Sequence, residues 1–196
     1  MNGKILSEQK KEALMKVICY GDSNTYGYDP RSYIGGRYPA SDRWVDLLAE
    51  KTGWEVENRG LNGREIPGQS ISAPGDTGLL IVMLGTNDLL QGADAATVVV
   101  RMERFLERLP LDRKKILLIA PPPLQRGEWV TGQGLIDQSI HLAKGYRDLA
   151  RRLGIGFADA DQWQIELCFD GVHFTADGHR AFAEGLMQAF KSLLII

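Results

Sequence analysis

Four short segments of this chain carry, in order, a serine, two groups able to donate hydrogen bonds, and an acid paired with a histidine. Gly21-Asp22-Ser23-Asn24 supplies a hydroxyl. Gly60-Leu61-Asn62-Gly63 supplies a backbone N–H with no Cβ beside it, and Gly85-Thr86-Asn87-Asp88 supplies a neutral amide. Asp170-Gly171-Val172-His173 places a carboxylate three residues ahead of an imidazole. A serine hydroxyl is a weak nucleophile until a base takes its proton, and imidazole is the side chain suited to that near neutral pH. The imidazole keeps the useful tautomer when an acceptor holds its far nitrogen. An acyl oxygen that turns negative needs donors with no proton to lose, such as the Gly63 N–H and the Asn87 amide. The four segments therefore hold a nucleophile, oxyanion donors and an acid-oriented base, the parts needed for acyl transfer through a serine.

Each segment also has a plainer reading. Gly-Asp-Ser is a common turn, and Ser23 to Gly27, rich in hydroxyl, amide and glycine, suits a loop that cradles phosphate. The Gly-x-Ser-x-Gly nucleophile elbow is absent. Asp170-Gly171 reads as a solvated turn, and Asp88 as a helix cap. His141 and His179 lie inside helical patterns and are assigned to helix faces rather than to a site. Two other functional classes follow from these plainer readings. Asp22, Asp88 and Asp159 around Mg²⁺ would make a metal-dependent phosphatase. The Ser23 to Gly27 loop would suit a flavodoxin-like binding module. Neither accounts for Asn87 and His173 together.

The elements that must position these residues are legible as alternating patterns. Lys16–Tyr20, Glu55–Asn58, Leu79–Leu84, Lys115–Ala120 and Gly156–Ala158 read as strands, the second being the weakest. Continuous apolar runs of this kind suit a parallel sheet covered on both faces. Between them, helical spacing spans Ser41–Lys51, Ala95–Leu109, Leu135–Leu153 and about Ala176–Leu193, the last capped by Thr175. On the third of these the buried face is read as Ile136, Ile140, Ala143, Tyr146, Leu149 and Ala150. Strand and helix alternate along the chain. The expected fold is an α/β three-layer doubly wound sandwich around a five-stranded parallel sheet, in the flavodoxin-like order 2-1-3-4-5. That order puts strand one between strands two and three, so Ser23, Gly63 and Asn87 become neighbours at the switch point of the sheet. His173 must be brought across by the loop after strand five. The loops Gly27–Ala40 and Pro121–Gly134 are long and aromatic-rich, and are candidate pocket walls.

Composition narrows the class. The 196 residues are 44% hydrophobic and 24% charged, as in a soluble globular domain. The formal net charge of −2 gives no electrostatic footprint for nucleic acid or anionic lipid. Arg101–Arg104 and Arg147–Arg152 sit among acids at helical spacing and read as solvated helix faces. The two cysteines, Cys19 and Cys168, form no disulfide framework and no zinc pattern. No apolar stretch has the length of a membrane span. Residues 1–16 are interrupted by charges and lack the apolar run of a signal peptide, so the expected location is cytoplasmic.

Taken in order, the four segments resemble the SGNH (GDSL-type) hydrolases, from Val17 onward. Further segments are similar to the arylesterase/acyltransferase branch: Asp42-Arg-Trp44, Glu57-Asn-Arg-Gly-Leu-Asn-Gly-Arg64, Ile81 to Asp88, Pro121-Pro-Pro-Leu124 and Asp170 to Thr175. The resemblance implies that Ser23 is the nucleophile, His173 the base and Asp170 its partner. It implies an oxyanion hole from the Ser23 N–H, the Gly63 N–H and the Asn87 side chain, with Asp22 as a brace. It also implies a serine esterase or acyltransferase for short-chain carboxylic esters that needs no metal or cofactor. Carbohydrate O-acetyl esterase and acyl thioesterase are the alternatives within the same machinery. The expected partners are a small-molecule ester and further copies of the chain in a homo-oligomer, with no nucleic acid and no membrane. Two departures stand out: Asn24 replaces the leucine of the motif name, and residues 1–15 form an extension before the single domain of 16–196, read as an arm for assembly.

Overall fold

The computed structural model describes residues 14–32, 34–193 and 195. Most of the 1–15 extension therefore lies outside the described residues, and so does Tyr33. Five strands, β1 (Lys16–Gly21), β2 (Glu55–Gly60), β3 (Leu79–Met83), β4 (Ile116–Ala120) and β5 (Gly156–Asp159), form one parallel sheet in the order β2-β1-β3-β4-β5. Every residue of β3 and β4 is buried, which is why these read as unbroken apolar runs. β2 is the edge strand. Glu55 and Glu57 face water and alternate with half-buried neighbours, so only one of its faces carries an apolar signal. Its pairing continues to Gly60, two residues past the expected end, because Gly60 pairs with Gly21 of β1. A Cβ at Gly60 would lie 2.0 Å from the Tyr26 backbone nitrogen, so the strand must end on a residue that has none.

Among the described residues six α-helices flank the sheet: α1 (Ser23–Tyr26), α2 (Trp44–Thr52), α3 (Thr86–Leu90), α4 (Ala95–Glu107), α5 (Gln133–Leu153) and α6 (Ala176–Ser192). Successive strand residues point to opposite faces and divide the core in two. On one face Ile18, Leu80, Val82 and Leu118 pack with Val98, Met102 and Phe105 of α4 and Leu142, Tyr146 and Leu149 of α5. On the other, Val17, Cys19, Ile81 and Ile119 pack with Trp44 and Leu48 of α2 and Phe182, Leu186 and Phe190 of α6. The three-layer, doubly wound expectation holds.

Local details differ from the sequence reading. Ser41 and Asp42 belong to a 3₁₀ turn, Ala40–Asp42, and α2 begins only at Trp44. On α5, Ile140 is 51% exposed and the buried face runs through Ser139, Leu142, Ala143, Tyr146 and Leu149. Ile140 lies one residue round the helix from that stripe. Thr175 caps α6 as expected, its hydroxyl accepting from the Gly178 N–H at 2.9 Å. Asp88 is not a cap. It lies inside α3, whose N-cap is Gly85, and its carboxylate accepts from the Ile66 N–H at 3.0 Å and from Arg101 at 2.9 Å. His179 sits on the inner face of α6, edge-on to Tyr38 and Phe174, and burial pushes it down to about 3.

Asp22 caps the first turn after β1, its Oδ1 accepting from the Asn24 N–H at 3.0 Å. Burial pushes its carboxyl up to about 6, against the downward pull of that hydrogen bond. Between the ordinary value of 3.8 and about 6 the folded chain thus holds a proton that the unfolded chain has released. The contribution of Asp22 to stability is greatest below 3.8 and declines as pH rises through about 6. Asp22→Asn keeps the oxygen for Asn24 and buries no charge. It is expected to flatten that slope and to be about 1–3 kcal/mol more stable than the parent at pH 8. Chemical denaturation at pH 5 and pH 8 checks this, and equal or lower stability of the variant at pH 8 contradicts it.

Candidate active site

The sheet brings three of the four segments to one edge. Gly21 pairs with Gly60 on one side and Met83 on the other, so β1, β2 and β3 end level. Just beyond those ends stand Ser23, the Leu61–Arg64 turn and the Gly85–Asp88 turn. Ser23 is the first residue of α1, and the leading N–H groups of a helix have no acceptor within it. Gly63 has φ +71°, the left-handed conformation that favours glycine. The Asn87 Nδ2 donates one hydrogen to the Arg64 carbonyl at 3.1 Å, which orients the amide and leaves its second hydrogen for the cavity that Asn87 lines. The Arg64 guanidinium reaches back to the Gly21 carbonyl at 2.9 Å and lies over the Tyr20 ring. One residue thus fastens the second segment to the first by its side chain and to the third by its backbone.

The fourth segment arrives from the far side. Leu167 and Phe174 form an antiparallel bridge, the Gly171 N–H donates to the Cys168 carbonyl at 2.9 Å, and the Cys168 N–H donates to the His173 carbonyl at 2.6 Å. Within this tight turn Asp170 faces its own histidine. Its Oδ1 accepts from the Val172 and His173 N–H groups at 2.9 and 3.0 Å, and its Oδ2 accepts from His173 Nδ1 at 2.7 Å. Burial alone would raise the Asp170 carboxyl. The His173 ring and the two backbone donors outweigh it and hold the group below its ordinary value. Asp170 is therefore a carboxylate and only accepts, so Nδ1 carries the ring proton. His173 Nε2 is left to accept from the Ser23 hydroxyl, 2.9 Å away.

The loop after β4 clasps that turn. Gln125, Glu128 and Trp129 donate their N–H groups to the carbonyls of Gly171, Phe169 and Asp170 at 3.0, 3.1 and 3.1 Å. The clasp lays Trp129 edge-on against His173, with ring centroids 5.2 Å apart, while Tyr28 meets the same imidazole at 4.8 Å. Tyr28 and Trp129 join Ser23, Asn62, Gly63, Asn87 and His173 around a cavity of about 250 Å³. The two long loops are pocket walls, as expected, but not every aromatic they carry serves there. Tyr38 is buried against Phe174 and His179, and Tyr26 lies under Arg37.

The structure thus gathers Ser23, Gly63, Asn87, Asp170 and His173 and leaves the rival sets apart. Asp88 is tied to Ile66 and Arg101, Asp159 to Arg147, and Asp22 to Asn24. Among the described residues no three His, Cys, Asp or Glu side chains stand together as a metal site. Ser23 to Tyr26 form a single helical turn engaged with His173 rather than an open phosphate loop. The sequence reading gave no role to Asn24 or to the Arg64 guanidinium. Their signal is only a hydrogen-bonding side chain at a position where the segment needs none, and it has no meaning until the partners are known. Among the described residues no helix is long and apolar enough to cross a membrane.

Comparison with known proteins gives the family and the fold. Residues 19–181 match the GDSL-like lipase/acylhydrolase family. No curated protein matches the chain in sequence. Solved structures do. A carbohydrate acetylesterase family member from Sinorhizobium meliloti is 30% identical with a TM-score of 0.77, over 93% of this chain and 100% of the other. A candidate arylesterase from Agrobacterium tumefaciens is 29% identical with a TM-score of 0.76, over 92% and 100%. The aryl esterase of M. smegmatis shares the fold at 24% identity and a TM-score of 0.76, over 91% and 99%. With its five-stranded parallel sheet and the match over most of its length, the chain belongs to the GDSL-like lipase/acylhydrolase family and is a carboxylic ester hydrolase.

Proposed function

We infer that the chain cleaves short-chain carboxylic esters through an acyl-enzyme on Ser23. The observation that carries this reading is the unbroken run of hydrogen bonds from Ser23 Oγ through His173 to Asp170, ending in a cavity that also presents Gly63 and Asn87. Ser23 Oγ attacks the ester carbonyl while its proton passes to His173 Nε2. The imidazolium that forms is stabilised by Asp170, and its proton then goes to the departing alkoxide. Water, or an alcohol in acyl transfer, repeats the sequence and releases the acyl group. The negative oxygen of each tetrahedral intermediate is held by the N–H groups of Ser23 and Gly63 and the Asn87 amide. Short acyl groups follow from a small cavity rimmed by Tyr28 and Trp129. Trp129 is 53% exposed, and with Ile34 and Phe169 it leaves apolar surface on the loops around the site, which supports a homo-oligomer.

Carbohydrate O-acetyl esters are a second reading. The similarity to an acetylesterase family member favours it, and so does Trp129, whose exposed indole can take the apolar face of a sugar ring beside His173.

Four measurements test these roles. A fluorophosphonate is expected to label Ser23 stoichiometrically, and Ser23→Ala to lose both labelling and turnover; label retained by the alanine variant refutes the nucleophile. Asn87→Ala is expected to lower kcat on the order of 10²–10³-fold, about 3–4 kcal/mol, with little change in KM, because the oxygen carries full charge only in the intermediate. Asn87→Asp should be worse, since a carboxylate repels the oxyanion, and near-parental kcat in that folded variant excludes the role. Across p-nitrophenyl esters of increasing length and acetylated sugars, kcat/KM should be highest for acetyl or propionyl groups. Best activity on long chains contradicts the small pocket. Trp129→Ala should raise KM for acetylated sugars more than for p-nitrophenyl acetate if sugars are the leaving groups.

A further inference from the structure

Asn24 stands next to the nucleophile, is 4% exposed, and uses all four of its hydrogen-bonding groups. Its backbone is fixed from two sides. The N–H donates to Asp22 Oδ1 at 3.0 Å, and the carbonyl accepts from Trp44 Nε1 at 3.0 Å. Its side chain reaches the opposite wall of the site. Nδ2 donates to the Val172 carbonyl at 3.1 Å, and Oδ1 accepts from the Phe174 N–H at 2.9 Å. Val172 and Phe174 are the residues on either side of His173. A carboxamide carries a donor and an acceptor side by side in one plane, so it can pair at once with the C=O of one residue and the N–H of another.

The turn that carries His173 is internally complete. Asp170 holds the imidazole and the two backbone N–H groups, and Cys168 closes the loop. None of those bonds sets the distance from the imidazole to Ser23. Among the described residues, the two Asn24 side-chain bonds are the only hydrogen bonds from α1 to this turn besides the Ser23–His173 contact itself. The geometry points to Asn24 as a positioning residue, whose side-chain amide docks the preassembled Asp170–His173 turn onto the nucleophile's helix and so sets the Ser23–His173 distance. This rests on the acyl-enzyme reading of Ser23 and His173. Leucine, the residue of the motif name, offers neither bond. Aspartate keeps the acceptor for Phe174 but turns a second acceptor toward the Val172 carbonyl.

The full chain, Asn24→Leu, Asn24→Asp, Ser23→Ala and His173→Ala are compared well below each protein's melting temperature. In Asn24→Leu and Asn24→Asp, kcat for p-nitrophenyl acetate and the rate of fluorophosphonate labelling are expected to fall together by about 10- to 100-fold, with KM changed by less than about threefold. The downfield proton on His173 Nδ1, observed by NMR, is expected to persist, because its partner Asp170 lies in the same turn. Parental kcat and labelling rate in either folded variant overturn the proposal. So does loss of the Nδ1 proton along with activity, which would mean that Asn24 only holds the turn together. If the leucine variant does not fold, the aspartate variant carries the same comparison. Activity that survives in Ser23→Ala or His173→Ala overturns the acyl-enzyme reading itself. Loss of activity there, with parental activity in the Asn24 variants, overturns the positioning role alone.

Discussion

The contact between the Ser23 hydroxyl and His173 Nε2, 2.9 Å across 150 residues of sequence, is the interaction on which the rest of the arrangement depends. A serine hydroxyl does nothing at neutral pH without a base at that distance. Forming the contact requires two rigid bodies to meet. One is the turn at the end of β1, held by the sheet on both sides through Gly21. The other is the 167–174 turn, closed on itself by Asp170. Much of the remaining structure near the site brings these two bodies together and keeps water from separating them.

Burial sharpens the chemistry and sets its conditions. Ser23, Asp170 and His173 are all nearly inaccessible, so an unpaired charge among them would be costly. The structure meets that condition by saturating Asp170 with one ring N–H and two backbone N–H groups. Tyr28 and Trp129 pack edge-to-face against the imidazole and bring no group that competes for its nitrogens. The side proposed to hold the oxyanion is built on the same logic. The Asn87 amide is aimed by the Arg64 carbonyl, and the backbone that follows is held at the Ile66 N–H by Asp88, itself paired with Arg101. Donors held in this way need little reorganisation when charge develops on a substrate.

Much of the fold was legible because it follows from periodicity. The fully buried strands β3 and β4 are continuous apolar runs, and α4 and α6 repeat their apolar residues at helical spacing. Errors fell where local pattern and tertiary contact part company. β2 was weakest because an edge strand buries one face only, and its last residues are set by pairing with Gly21 rather than by their own type. Ile140 suited the apolar stripe of α5, yet the helix packs its neighbouring stripe on the sheet. Asp88 resembled a cap because a carboxylate near a helix start usually is one. Only the folded chain shows that Arg101 and Ile66 claim it.

The amino-acid order by itself determined the alternation of strands and helices, hence a parallel sheet with its strand ends on one edge. It also determined which residue types stand there: Ser23, Gly63, Asn87, and an acid three residues before a histidine. These are properties of periodicity and of chemical type, which a sequence carries directly. What only tertiary structure decided is how the last segment meets the first three. The bonds from Asn24 to Val172 and Phe174, the clasp of the 125–129 loop, and the aromatic edges on His173 all join residues far apart in the chain. Such contacts have no local signature, because a side chain's hydrogen-bonding capacity is written in its identity while its partner is chosen by the fold.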